Sequence, residues 1–279
     1  MTDTPLDVPA SAGRARRIAF TVVAVLAAFL TSVLTLGSLG LIVAGETPDG
    51  VPLTADARLA LLVHVPWLAL GWGAAFVASI WRAARRPAAY QQALAMGVGL
   101  YLGGLVLARE NDPVFYVGFG VVLLLLGLLH PARRAVWRPG PGGVSPVLVP
   151  LALLLAAPCT LYAVDMAQRQ QEVGPEGPFF LGIAATALAV PLLGLVAGLR
   201  APGWRLPLWV TGGTLFLLAG SGVAADPAAP AAPPAGWAAA GLLAAAAFVA
   251  LGEWEAQRMA RLRSPIPQAA DPAPTSFAG

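Results

Sequence analysis

Apart from hydroxyls and arginines, this 279-residue sequence offers little for acid–base, nucleophilic or metal chemistry: two histidines, one cysteine and fourteen carboxylates. His64 stands about one turn inside the second long apolar run, and Asp165 about one turn from the end of the fifth. Both fall in the same half of their runs. With Tyr101, Tyr162 and the Arg109-Glu110-Asn111-Asp112 segment they could line one polar pocket. An acid beside a histidine in such a pocket would hold a polar head group or move a proton. A simpler reading competes with it. Asp165 precedes Arg169 by four residues, the helical spacing for an ion pair of ~0.2–0.5 kcal/mol, which leaves His64 to hydrogen-bond a neighbouring helix.

Other chemistries are poorly supported. His64 and His130 fall at opposite ends of their runs, so they cannot both ligate one haem iron. His130, beside Pro131 and Arg133, reads as an interfacial residue. A zinc site needs three or four ligands, and no cofactor or metal set emerges from these residues. Cys159 lies in an apolar run and reads as a small hydrophobe. Ala219-Gly220-Ser221-Gly222 is similar in shape to the Gly-x-Ser-Gly of intramembrane serine proteases, but Ala219 replaces the first glycine and no histidine follows to act as base. Phosphate loops and dinucleotide fingerprints are missing.

The elements that must position these groups are set by composition. Hydrophobic residues make up 58% of the chain and charged residues 11%, against roughly a quarter charged in soluble domains. An ordinary soluble enzyme and a disordered chain are both excluded. A membrane-crossing helix needs about 20 mainly apolar residues, and eight runs qualify, at 18–44, 59–81, 92–108, 115–130, 146–168, 178–199, 207–225 and 236–254. The fold class is all-α: a polytopic bundle of eight transmembrane helices spanning 18–256. Tails at 1–17 and 257–279, rich in Pro, Ala and small polar residues at their extremities, read as disordered. The fourth run is short, and the last is only mildly apolar.

All 17 basic residues are arginine, which with abundant Ala, Gly and Pro suits a GC-rich bacterial genome. Fourteen of them fall on one side if the runs alternate: Arg14, Arg16 and Arg17; Arg82, Arg85 and Arg86; Arg133, Arg134 and Arg138; Arg200 and Arg205; Arg258, Arg261 and Arg263. Only Arg58, Arg109 and Arg169 fall on the other. Arginine-rich loops stay in the cytoplasm, so both termini are expected there, in a bacterial inner membrane. Trp81, Trp137, Trp204, Trp237 and Trp254 fall near run ends, as an aromatic belt would. The arginines form no long basic stripe, so nucleic acid is not an expected partner. The lipid bilayer is; other membrane subunits or a second copy are the further partner classes.

Gly71-x-x-x-Ala75, Gly99-x-x-x-Gly103 and Gly194-x-x-x-Gly198 allow close helix approach, either inside a bundle or across an oligomer seam. Thr31, Thr35 and Ser38 share one face of the first run, where hydroxyls line a polar path or bond back to the backbone. Pro66, Pro150, Pro158 and Pro191 lie within runs and should bend them or free a carbonyl. Few charges near the midplane disfavour a proton- or sodium-coupled carrier. The expected function is a membrane component without catalytic machinery, either an accessory subunit of a complex or a small transporter-like bundle. The alternative is a lipid-modifying enzyme with an outward-facing site around His64 and Asp165.

Overall fold

The computed structural model describes residues 13–108, 113–174, 180–224 and 232–263. Arg109 and Glu110, together with most of both tails, lie outside the described residues. The described chain is helical, with one isolated β-bridge between Glu46 and Pro52. Eight helical rods follow one another: α1 (Arg14–Ala44), α2 (Ala55–Arg82), α3 (Pro87–Ala108), α4 (Pro113–Leu129), α5 (Leu148–Val173), α6 (Phe180–Gly198), α7 (Arg205–Ala224) and α8 (Ala235–Arg263). Rod α2 passes through a π-helical stretch at Trp67–Gly73, and α3 ends in another at Leu102–Ala108. Seven rods are long and apolar enough to cross a membrane; the apolar part of α4, Tyr116–Leu129, is shorter.

Several rods outrun the apolar runs that announced them. α1 begins at Arg14, α3 at Pro87, and α8 continues to Arg263. Hydropathy marks only the apolar part of a helix, whereas the backbone bonds continue through any residues that tolerate helical geometry. Gln91 and Gln92 show the consequence, buried in the first turns of α3. The amide of Gln91 donates to the Val136 carbonyl at 2.5 Å.

α6 is the axis of the bundle, with 78% of its membrane-length window buried, against 22% for α1, α5 and α8. Its sequence is apolar on every side, as a fully enclosed helix requires. Small residues bring its neighbours to backbone contact. A Cβ on Gly99 of α3 would sit 2.8 Å from the Ala185 carbonyl oxygen, and one on Gly103 would sit 2.9 Å from the Ala185 nitrogen. A Cβ on Gly194 would meet Ala152 of α5 at 2.9 Å, and one on Gly198 would meet Val149 at 2.6 Å. Gly71 of α2 accommodates the Met96 side chain in the same way. All three small-residue motifs are therefore used inside the chain.

α4 runs back along α3. Tyr90, near the start of α3, donates to the Leu123 carbonyl at 2.9 Å and covers Gly127. Tyr101, further along α3, donates to the Tyr116 carbonyl and covers Gly120. Seventeen residues of helix span about 25 Å.

The arginine-bearing helix ends are gathered at one end of the bundle. Arg16 donates to the carbonyls of Leu128 and His130, tying the start of α1 to the end of α4. The Ala88 N–H reaches Pro202, joining α3 to the α6–α7 turn. The segment between α4 and α5 follows suit, with Gly140 N–H on Leu199 and Ser145 N–H on Gly198. Glu255 of α8 completes the set by accepting from the Ser145 hydroxyl at 2.6 Å. At the opposite end, Gln171 of α5 donates to Leu107 of α3 at 2.6 Å.

His130 corrects one expectation. It sits at the arginine-rich end yet is fully buried rather than interfacial, its ring 5.3 Å from Phe20 and 5.6 Å from Tyr90. Its Nδ1 accepts from the Ala132 N–H at 3.1 Å. Burial, reinforced by the Arg16 charge, pushes its pKa down to about 4.

Candidate functional site

α2 is interrupted where Pro66 removes a backbone donor and the chain widens into π-helical geometry. The carbonyls of Leu70 and Gly71, within that stretch, accept from the Gln92 amide of α3 at 3.2 and 2.7 Å. Around this junction five buried polar atoms have no hydrogen-bond partner among the described residues: His64 Nδ1, Trp67 Nε1, Trp72 Nε1, Gln92 Oε1 and Thr214 Oγ1. Three of them lie on α2 and a fourth, Gln92, is bonded to its π-helical stretch; together they make up a polar seam. The His64 and Trp67 ring centroids are 5.3 Å apart, and those of Trp67 and Trp72 are 6.1 Å apart. Thr214 follows Gly213, whose Cβ position is 3.9 Å from Leu70.

Buried polar groups rarely stay unpaired, and orphans of this kind mark places for water or a bound polar molecule. The set contains two indole donors, an amide acceptor, a hydroxyl that both donates and accepts, and an imidazole nitrogen that does either according to tautomer. None carries a fixed charge. Such a set can pair with an uncharged, hydrogen-bonding molecule.

The residues singled out in the sequence take the following places. His64 belongs to this seam and faces α6, where a Cβ on Gly182 would meet its Nδ1 at 2.7 Å. Tyr101 is drawn to α4 by its bond to Tyr116. Asp165 forms the anticipated pair with Arg169 at 3.1 Å, with both side chains partly exposed. Tyr162 stays with that pair, within electrostatic reach of Asp165, Arg169 and Asp56.

Of the hydroxyls singled out in the sequence, Thr31 bonds back to Ala27, Thr35 to Thr31 and Ser221 to Leu218.

Sequence reasoning missed Glu253 and Glu255. Glu255 forms a buried ion pair with Arg200, and Glu253 accepts from Arg205 at 2.5 Å and from the Trp209 indole at 3.0 Å. A signal was available: outside the tails, these are the two acids that fall on the arginine-rich side. Gln92, Trp67 and Trp72 were missed because neutral polar and aromatic residues in an apolar run look like ordinary packing.

Compared with known protein families, curated proteins and solved structures, the chain matches none.

Proposed function

We propose that the chain is a small transporter-like bundle that admits water or an uncharged polar solute at the π-helical stretch of α2, without catalytic machinery. The observation that carries this reading is the seam of unpaired buried polar atoms at the Pro66–Gly73 interruption. π-Helical stretches within α-helices are frequently found at functional sites, and this one is continuous with the helix on both sides. The same proposal takes all eight rods as crossings, supported by α4 running back along the full length of α3's α-helical part. As part of the same proposal that end, with both termini, faces the cytoplasm across a bacterial inner membrane, a reading supported by the gathered arginines.

The test uses accessibility. Thr214→Cys is introduced into a Cys159→Ala background, and small hydrophilic thiosulfonates are applied from each side of sealed membranes. The expected result is modification of the Thr214→Cys thiol in the folded protein, faster from one side than the other. A thiol inert from both sides, yet reactive after denaturation, would overturn the proposal.

A further inference from the structure

A second feature lies away from the polar seam, on the flank of the bundle. α5 and α8 splay apart over α7, leaving an apolar cleft of about 460 Å³, within the roughly 300–1,000 Å³ of ordinary ligand sites. Pro158 and Cys159 line it from α5, Leu215 and Ala219 from α7, and Trp237 and Ala240 from α8. The cleft lies towards the end opposite the arginine cluster, because Trp237 opens α8 and Ala219 is close to the end of α7. Its two flanking helices are among the least enclosed in the bundle, so its mouth faces the surrounding lipid.

Beyond the apolar lining, Asp165, Arg169 and Asp56 lie within electrostatic reach of Tyr162. Tyr162 lines the cavity, and Pro158, Tyr162, Asp165 and Arg169 follow one another at spacings of four, three and four residues, on one face of α5. The apolar wall therefore leads directly to the Asp165–Arg169 pair. An occupant that fits is apolar along most of its length, with a polar head group that meets the Asp165–Arg169 pair, in which Asp165 holds the Arg169 Nε. An acyl chain whose phosphate reaches the guanidinium satisfies both requirements. We propose that this cleft holds one acyl chain of a membrane phospholipid, with its phosphate at Arg169.

The full chain is reconstituted into phosphatidylethanolamine/phosphatidylglycerol vesicles containing a phospholipid with a diazirine at its chain end, and crosslinks are mapped by mass spectrometry. Leu155–Tyr162 and Leu215–Ala219 should be labelled several-fold more per residue than the outward face of α1 at Val22–Phe29. Ala240→Trp places bulk in the cleft from an exposed position and should cut that labelling at least threefold while leaving α1 unchanged. Leu243→Trp, on the exposed surface of α8 outside the cleft lining, should have no effect. Arg169→Gln should lower cleft labelling about twofold. Labelling no higher than on α1, or unaffected by Ala240→Trp, would overturn the proposal. So would native mass spectrometry showing a dimer that Ala240→Trp dissociates, because the cleft would then be filled by a second copy.

Discussion

Removing Glu255 should be the most damaging single change at the arginine-rich end of the bundle. The Arg200 and Glu255 side chains are only 7% and 8% exposed. Arg200 also adopts a left-handed backbone conformation, φ 50°, which an L residue holds only when its surroundings enforce it. Glu255 is its charge partner; the Gly142 carbonyl takes a second guanidinium bond at 3.2 Å. In Glu255→Ala the guanidinium stays buried without its counter-charge, a situation that costs about 3–5 kcal/mol. The Ser145 hydroxyl also loses its acceptor, adding about 1 kcal/mol. At roughly 2–4 °C per kcal/mol for a chain of this size, a fall in Tm of at least 8 °C is expected. Replacing both partners by apolar residues of similar volume, Arg200→Met with Glu255→Leu, removes both charges and should return to within about 2 kcal/mol of the parent. The assay is reversible unfolding in mixed micelles, read as a double-mutant cycle. A Glu255→Ala loss below about 1 kcal/mol, or a double variant as unstable as the sum of the singles, would refute the reasoning.

Other predictions follow from the same packing. His130 has a folded pKa of about 4, below the unfolded value of about 6.5. The stability held by its neutral form is therefore complete above pH 6.5 and is lost as pH falls towards 4, by up to about 3 kcal/mol; denaturation at pH 7.5, 5.5 and 4.5 should give a flatter profile in His130→Phe than in the parent. Gly99→Ala forces a methyl against the Ala185 carbonyl and should cost about 1–3 kcal/mol in the same unfolding assay. Gly118→Ala meets nothing within 4 Å and should be neutral or stabilising by up to about 1 kcal/mol. Asp165→Asn should cost no more than about 0.5 kcal/mol, because its pair with Arg169 is partly exposed. A topology reporter fused after Gly279 should read cytoplasmic and one within 226–235 external; the same side for both would remove one crossing between them.

How much was legible beforehand depended on whether the determining physics was local. Length and apolarity of a run are local properties, and so is the four-residue step from Asp165 to Arg169, which the helix turns directly into an ion pair. Alternation of arginine along the chain sorted the helix ends, and the hydrogen bonds from Arg16, Ala88, Gly140 and Ser145 do gather those ends together. Which helix lies against which is not local. Only tertiary structure decided that the glycines of α3 and α6 are spent against Ala185 and Ala152 rather than on an oligomer seam. It also decided that Glu255, 55 positions beyond Arg200 in the chain, neutralises it, and that His130 is enclosed by Phe20 and Tyr90. It bonded Tyr101 to the Tyr116 carbonyl of α4, and it joined Gln92 to the Leu70 and Gly71 carbonyls of the π-helical stretch. Periodicity reports how one helix divides its own surface. The identity of the surface opposite depends on how the helices pack together, with α2, α3, α5 and α7 against α6, and that is set by the shapes of all of them at once.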